Sequence, residues 1–193
     1  MIGADLMDEA QTRKLAQEAL KEFGKVDVLV NNAGMALYDD FAKKTVQGFE
    51  KSMQLNLYAP FLLTQILGEQ MAKNKYGKIV NIATIDVMTT YNAESTEYDA
   101  SKAALISLTK TSSLQFQPYV NVNCVCPGWV ATDMNKELPQ EFVYSFFTFM
   151  FGIFQYTVVT DKQKEAMKKA GVDYIYSSLY DLTFHAVRRM LKY

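Results

Sequence analysis

Residues 26–34, Val-Asp-Val-Leu-Val-Asn-Asn-Ala-Gly, carry the pattern that decides the fold. Residues 26–30 are apolar and rich in β-branched side chains, which is typical of a short, buried parallel strand. The turn at residues 31–34 ends that strand, and its glycine lets the backbone approach a ligand closely. The stretch therefore predicts a buried strand that ends in a ligand-binding turn.

Helices and strands alternate on both sides of this stretch. Strands are predicted at residues 26–30, 78–83 and 120–125, and residues 1–5 resemble the tail of another. Helices are predicted over residues 9–23, 45–73 and 95–113. Asp8 and Thr45 are the expected N-caps, Gly24 ends the first helix, and Pro60 predicts a kink or restart within the second. This order is the signature of right-handed βαβ units around a parallel sheet.

Polar residues gather at one edge of the predicted sheet. In parallel sheets, ligands bind beyond the carboxyl ends of the strands, and Asn31, Thr84 and Pro127 all follow such ends. Tyr98 lies on the helix after Thr84, and it shares a helix face with Lys102, four residues on. We expect the lysine ammonium to lower the pKa of the phenol from about 10, so that Tyr98 can exchange a proton near neutral pH.

Composition narrows the class of protein. The chain has 193 residues and a net charge of −1, so no basic patch predicts a nucleic-acid partner. The N-terminus lacks the pattern of a signal peptide. Cys124 and Cys126 are expected to point to opposite faces of the sheet and to stay reduced, as in a cytoplasmic protein. The single histidine, His185, is interpreted as structural, and no metal site is predicted.

Residues 142–160 form an uncharged, phenylalanine-rich run about as long as a bilayer is thick. Polar residues such as Ser145 and Gln155 dilute it. We therefore favour a buried helix pair or a wall of a hydrophobic substrate pocket. A membrane span and an interfacial helix stay open as alternatives.

Four motifs in this order resemble the short-chain dehydrogenase/reductase family. They are Asn31-Asn32-Ala33-Gly34, Asn56 in Leu55-Asn56-Leu57, Tyr98-x-x-x-Lys102, and Pro127-Gly128 followed by Thr132. The resemblance implies an α/β fold with a partial, doubly wound, Rossmann-like parallel sheet. It also implies a single domain over residues 1–193, with a core at 1–134 and a helical, apolar, substrate-side region at 135–193. Within the family, residues 127–132 and the apolar C-terminal part of the chain are loosely similar to those of retinol- and steroid-type members.

The resemblance implies a role for each matching residue. Tyr98 would be the general acid/base, and Lys102 would lower its pKa and bind the nicotinamide ribose. Asn56 would hold a water in a proton relay, while Thr84 stands where the family has a serine that polarises the carbonyl. NAD or NADP would further contact Asp5 at the adenine, Thr132 at the carboxamide, and also Asn31, Ala33, Gly34, Pro127 and Gly128.

The chain departs from the family in lacking a G-x-x-x-G-x-G motif before Asp5. We expect this to weaken NAD(P) binding and to leave the strand at 26–30 with an open edge. One hypothesis is an oxidoreductase that interconverts a secondary alcohol and a carbonyl, on a small hydrophobic substrate. The other is a truncated, inactive member that serves as a binding or oligomerisation module. A homo-oligomer built through the helices at 45–73 and 95–113 is expected, in the cytoplasm or associated with a membrane through 142–160.

Overall fold

The computed structural model describes residues 1–88 and 93–128, together with the backbone of residues 154–155. The α-helices are α1 (Glu9–Phe23), α2 (Val46–Met53), α3 (Ala59–Lys73) and α4 (Thr96–Phe116). Short 3-10 turns lie at Phe41–Lys43 and Ala93–Ser95, and a π-helical turn lies at Gln54–Tyr58. The strands are β1 (Val28–Asn31), β2 (Gly77–Ile82), β3 (Val120–Val125) and β4 (Phe154–Gln155).

The strands form one sheet in the order β1-β2-β3-β4. β1, β2 and β3 are parallel, and helical crossovers join them, which confirms the α/β, partly Rossmann-like fold. β4 runs antiparallel to β3. The sequence predicted a helical region there, so at these two residues the strand corrects the prediction.

Local sequence explains where the helices begin and end. The Asp8 carboxylate accepts hydrogen bonds from two backbone amides of the first turn of α1, at 2.7 and 3.1 Å. The Thr45 hydroxyl accepts one from the Gly48 amide, at 3.1 Å. Gly24 ends α1 at φ 73°, a left-handed conformation that favours glycine. The predicted caps and helix end are therefore confirmed.

The helical region at 45–73 contains a π-helical turn at Gln54–Tyr58, and α3 follows from Ala59 with no break in the helical backbone conformation. The Ala59 amide donates to the Gln54 carbonyl oxygen, five residues back, and Pro60, which has no amide hydrogen to donate, comes directly after it. The sequence predicted a kink or a restart at Pro60; the helix does not restart, and the irregularity is the π-helical turn. Asn56 is the middle residue of this π-helical turn.

One face of the sheet is covered by α1, α3 and α4. The buried side chains that share this core are Ala16, Leu63, Leu67, Met71, Ile79, Phe116, Val120 and Val122. On the opposite face, Val28 and Val30 are 53% and 54% exposed. The prediction that this strand is fully buried is therefore wrong within the described residues, because the helices described there cover only one face of β1.

Three further predictions concern residues 1–5, a membrane-spanning helix and the C-terminal part of the chain. Residues 1–5 form no strand, so that prediction is wrong; in the described part of the chain, β1 is the edge of the sheet. Among the described residues, no helix is both long and apolar enough to cross a bilayer. Apart from the backbone of β4, the run at 142–160 lies outside those residues, as does His185. The interpretations of the run at 142–160 stay predictions, and so does the single domain over residues 1–193.

Candidate active site

Tyr98 and Lys102 lie one turn apart on α4, beside the carboxyl end of β2. Lys102 Nζ donates a 2.7 Å hydrogen bond to the carbonyl oxygen of Ile82, the last residue of β2. The same nitrogen lies 5.6 Å from the centre of the Tyr98 ring. Lys102 is only 3% exposed. A buried ammonium and a phenol are thus brought together at the ligand edge of the sheet.

The loops after β2 and β3 bring Thr84 and Pro127 to this edge. The Thr84 hydroxyl donates to Asp86 Oδ2 and accepts from the Asp86 amide, both at 3.3 Å. The Ile85 amide donates to the Pro127 carbonyl oxygen at 2.9 Å. This bond joins the two loops, so the edge predicted from the ends of the strands is formed by residues that are far apart in sequence.

Asn56 is fully buried, and both ends of its side chain are engaged. Its Oδ1 accepts from the Met35 amide, and its Nδ2 donates to the Met35 carbonyl oxygen and to Ser101 Oγ, each at 2.9 Å. Ser101 Oγ in turn donates to the Tyr98 carbonyl oxygen at 2.7 Å. π-Helical turns occur often at functional sites. This one places a side-chain amide between the segment after Gly34 and the helix of Tyr98.

Ser101 is a functional residue that our sequence reasoning missed. It lies inside the Tyr98-x-x-x-Lys102 motif, three residues after Tyr98 and therefore next to it on the helix surface. Its hydroxyl connects the amide of Asn56 to the backbone of Tyr98. Its position within the motif was the only signal that could have singled it out.

Gly34 packs directly against the same residues. A Cβ at this position would lie 3.2 Å from Lys102 Nζ and 3.3 Å from Asn56 Oδ1, closer than ordinary contact. A glycine is what allows the backbone to run this near to two polar groups. Gly34, Asn56 and Lys102 therefore form one contact cluster behind Tyr98.

The surroundings of Tyr98 favour the neutral phenol. Burial is the main cause that raises the pKa of Tyr98, to about 12, and nearby Tyr38, Asp86 and Asp99 raise it further. The Thr84 hydroxyl acts in the opposite direction and lowers the pKa. The Tyr98 side chain is therefore a proton donor at neutral pH in the protein by itself.

Lys102 does not lower the pKa of the phenol in this structure, so the predicted direction is wrong here. The ammonium is bonded to the Ile82 carbonyl oxygen and lies beside the Tyr98 ring, and burial dominates the ionisation of both groups. Burial also lowers the pKa of Lys102 from 10.5 to about 8, against the opposing effect of the Cys124 thiol. Both groups are therefore shifted away from their ionised forms.

The side chain of Asn31 lies away from this cluster. It is 5% exposed, and its Nδ2 donates to Asn81 Oδ1 at 2.8 Å and to Thr64 Oγ1 at 3.3 Å. Asn81 continues the chain of bonds to Thr109 at 2.9 Å. The side chain of Asn31 thus ties β1 to β2 and α3, a role distinct from the cofactor contact that the resemblance implied.

The remaining cofactor candidates are scattered. Asp5 is exposed before α1, and its carboxylate accepts from the Met7 amide at 2.9 Å. Ala33 is exposed beside Gly34, and Gly128 is half-buried after β3. Thr132 lies outside the described residues.

Cys124 and Cys126 are free and buried, and they hydrogen-bond to each other. The expectation of opposite faces is wrong, because side chains two residues apart along a strand share a face. The described residues contain no cluster of three or more metal-ligating side chains.

A parallel α/β sheet with a tyrosine–lysine pair at its ligand edge defines a class of dinucleotide-dependent oxidoreductases. The chain matches the family described as short chain dehydrogenase over residues 1–142. It therefore belongs to the short-chain dehydrogenase family.

Similar proteins carry the names of dehydrogenases and reductases. The chain is 33% identical over 139 residues to (2S)-[(R)-hydroxy(phenyl)methyl]succinyl-CoA dehydrogenase subunit BbsD of Thauera aromatica, covering 72% of this chain and 55% of that protein. It is 34% identical over 137 residues to an NAD-dependent glycerol dehydrogenase of Listeria innocua, covering 70% and 54%. It is 35% identical over 141 residues to a 3-oxoacyl-[acyl-carrier-protein] reductase of Aquifex aeolicus, covering 72% and 56%. The chain spans about half the length of the curated relatives it matches.

Proposed function

We propose that this site is the proton-transfer centre of an NAD- or NADP-dependent oxidoreductase that interconverts a secondary alcohol and a carbonyl. One observation carries the proposal. A buried cluster formed by Gly34, Asn56 and Lys102 lies against Tyr98, whose ionisation responds to the Thr84 hydroxyl. Family membership supplies the class of reaction, and the cluster supplies the groups that the reaction needs.

In the direction of reduction, Tyr98 donates its proton to the carbonyl oxygen of the substrate. Its pKa of about 12 keeps it protonated at neutral pH, so the proton is available, while efficient transfer requires a pKa nearer the operating pH. For this step the Thr84 hydroxyl turns its proton from Asp86 to the same oxygen and stabilises the developing negative charge. Asn56 holds the segment after Gly34 against α4 and so positions the cluster. The nicotinamide, when bound, supplies the hydride.

The described residues fit the ribose and nicotinamide half of the cofactor. Gly34 lets the backbone pass close to Lys102. The Lys102 ammonium has three N–H groups, and its bond to the Ile82 carbonyl uses one of them. The 193 residues contain no G-x-x-x-G-x-G motif, so no group of this chain is assigned to the pyrophosphate. Asp5, Thr132 and the turn at Pro127 and Gly128 are proposed cofactor contacts from family resemblance.

The proposed substrate is a small, hydrophobic alcohol or carbonyl compound, in line with the apolar run at 142–160. The cytoplasm is the proposed location, with membrane association through that run as the alternative. A homo-oligomer is proposed through α3 and α4. In support, a groove of about 310 Å³ between them is lined in part by Phe61, Leu108 and Phe116.

The second candidate is an inactive member of the family that binds other proteins. The exposed edge strand β1, with Val28 and Val30 each about half exposed, favours it. Calorimetry with NAD and NADP separates the two, since an inactive module needs no dinucleotide. Tight binding of either dinucleotide would count against the module.

The oxidoreductase is tested by dinucleotide-dependent turnover on a panel of aldehydes and ketones. Tyr98→Phe keeps the ring but removes the proton, so we expect the rate to fall by about 10²–10⁴. Tyr119→Phe is the matched control, because Tyr119 is half exposed in the turn between α4 and β3. Equal rates for the wild type and Tyr98→Phe would refute the assigned role, and absence of turnover together with absence of dinucleotide binding would favour the module.

A further inference from the structure

A short segment after the Asn-Asn-Ala-Gly turn, residues 34–40, lies along the first turns of α4; we refer to it as the strap. Every second residue of the strap is fixed through its backbone. Both backbone groups of Met35 are bonded to Asn56. The Leu37 amide donates to Glu97 Oε1 at 3.1 Å, and the Asp39 amide donates to the Glu94 carbonyl oxygen at 3.2 Å. The strap is thus held at three points: by the π-helical turn at Asn56, by α4 at Glu97, and by the 3-10 turn before α4 at Glu94.

Two residues of the strap, Gly34 and Tyr38, bear on the proposed site. Gly34 lies against Lys102 Nζ and Asn56, as its Cβ distances show. Tyr38 is one of the groups that raise the pKa of Tyr98, and its own pKa is raised by burial and by Asp86 and Asp99. Tyr38 is 49% exposed and lies between Leu37, whose amide is bonded to Glu97, and Asp39, whose amide is bonded to Glu94, so its backbone runs beside the segment that leads into Tyr98.

The middle of the strap is held by an ion pair that the reaction does not use. Lys44 Nζ lies 2.7 Å from Glu97 Oε2, and the two side chains are 9% and 1% exposed. This contact is an ion pair without a hydrogen bond, because its angles do not suit one, so Glu97 Oε2 accepts no hydrogen bond. The ammonium donates instead to the carbonyl oxygens of Leu37 and, at 2.6 Å, of Glu94. The pair therefore holds both backbone groups of Leu37, the amide through the carboxylate and the carbonyl through the ammonium.

A pair this deeply buried is costly unless its hydrogen bonds are satisfied. Lys44 precedes α2 and Glu97 directly precedes Tyr98 in α4, so the pair links two elements 53 positions apart through the strap between them. The ion pairs of Arg13 with Glu9, Lys14 with Glu18 and Lys25 with Asp27 are instead at the surface, with each side chain between 39% and 71% exposed. The buried location thus sets the Lys44–Glu97 pair apart.

We propose that the buried Lys44–Glu97 ion pair is a positioning device that holds the strap so that Tyr38 forms a wall of the substrate site beside Tyr98. Tyr38 is then a specificity-determining residue, because its ring limits the size of the group next to the substrate carbonyl. Lys44 and Glu97 act through the strap and touch neither substrate nor cofactor. The substrate part of this inference rests on the proposed oxidoreductase function, whereas the positioning part does not.

The positioning part is tested by amide hydrogen exchange on the full 193-residue chain. In Glu97→Gln the ammonium of Lys44 loses its counter-charge, so we expect the Leu37 and Asp39 amides to exchange at least about tenfold faster. The amides of β2 should keep their wild-type rates. Glu9→Gln, which removes one partner of an exposed pair, is the matched control and should leave the strap unchanged.

A second variant guards against misfolding. Lys44→Met combined with Glu97→Gln leaves no buried charge without a partner, so the fold is retained while the carbonyl of Leu37 loses its donor. We expect the same selective loosening of the strap. Equal acceleration in the strap and in β2, or no acceleration in either variant, would overturn the positioning role.

The link to Tyr98 is read from its ionisation by NMR of ¹³C-labelled tyrosine, with the signal assigned from Tyr98→Phe. Loosening the strap in Glu97→Gln, or removing the ring in Tyr38→Ala, exposes Tyr98 to water. Its pKa should then fall from about 12 toward 10, because burial is the main cause of the elevation. An unchanged pKa in both variants would overturn the placement of Tyr38.

These two readouts need no turnover, so failure of the proposed oxidoreductase function leaves them valid. Where turnover is measured, Glu97→Gln and Tyr38→Ala should raise KM for carbonyls more than they lower kcat. Tyr38→Ala should also favour bulkier substrates at least about tenfold relative to the wild type. A pure loss of kcat with unchanged KM and unchanged size preference would contradict the role in specificity.

Discussion

Lys102 is a charged side chain in a place that favours a neutral one. It is 3% exposed, and the described structure gives its ammonium one hydrogen-bond acceptor, the carbonyl oxygen of Ile82. Burial holds its pKa at about 8, below the ordinary 10.5. Residues kept at such a cost are common at functional sites, because catalysis needs groups that stability alone would remove.

Replacing this lysine should stabilise the protein at neutral pH. The lowered pKa corresponds to roughly 3 kcal/mol, at about 1.4 kcal/mol per pH unit, and the lost hydrogen bond to Ile82 offsets about 1. We therefore expect Lys102→Met to raise the free energy of unfolding by about 2 kcal/mol at pH 7, as measured by urea denaturation. Lys14→Met, at an exposed position, should change it by less than about 0.5 kcal/mol.

The gain should disappear at high pH. Because the folded pKa lies below the unfolded one, the unfolded chain binds the proton of Lys102 between pH 8 and 10.5 while the folded chain does not. The wild type therefore gains stability as pH rises through this window, and Lys102→Met does not. A difference between the two proteins that is the same at pH 7 and at pH 10.5 would refute the burial cost.

At the scale of helices and strands, close packing between α3 and β2 sets the position of the site. Gly77 begins β2, and a Cβ there would lie 2.5 Å from three side-chain atoms of Met71 near the end of α3. The first of these atoms is the Cβ of Met71, which cannot move without its backbone. The spacing between α3 and β2, and with it the position of Ile82 under Lys102, depends on this contact.

Gly77→Ala should therefore destabilise the protein by about 1–3 kcal/mol through overpacking, as measured by thermal or urea denaturation. Gly48→Ala is the matched control, since its Cβ would meet nothing closer than 3.4 Å within α2. That change should stabilise by about 0.5–1 kcal/mol through helix propensity. A neutral or stabilising effect of Gly77→Ala would contradict the assigned packing.

Local signals predicted most of these elements. The caps at Asp8 and Thr45 depend on neighbours within a few residues, and both are confirmed. The direction of the Asn31 side chain depends on Asn81, 50 positions away, and no local pattern encodes it. The same holds for the ion pair of Lys44 with Glu97.

The spacing of residues in the sequence could not predict the pKa of Tyr98. The four-residue spacing correctly placed Lys102 beside Tyr98, but it carried no information on how deeply the phenol is buried. Burial decides the direction of the pKa shift, and burial is a property of the assembled sheet and helices. A motif therefore predicts which groups meet more reliably than it predicts their charge.

At the scale of the whole molecule, α3 and α4 carry exposed apolar side chains at and near a groove of mixed polar and apolar lining. Phe61, which lines the groove, is 43% exposed, and Leu114 of α4 is 62% exposed. If the proposed homo-oligomer forms there, a charge in its interface should weaken it. This surface is separate from the exposed valines of β1, so the two can be tested independently.

We expect Phe61→Glu to shift the protein toward the monomer at least about tenfold in dissociation constant, as measured by light scattering after gel filtration. Phe23→Glu is the matched control, because Phe23 is 67% exposed at the end of α1 and lies outside the groove. A monomeric wild type would contradict the proposal. So would an equal effect of the two substitutions, which would point to general solubility instead.

The account as a whole depends on one event, proton donation by Tyr98 as a hydride reaches a carbonyl carbon. The most direct measurement is deuterium transfer to a ketone from NADH or NADPH deuterated at both hydrogens of C4, followed by mass spectrometry of the alcohol product. We predict deuterium on the carbinol carbon with the wild-type chain, and a rate at least about 10² lower with Tyr98→Phe. Absence of a deuterated product with both dinucleotides, or an equal rate with Tyr98→Phe, would contradict the account.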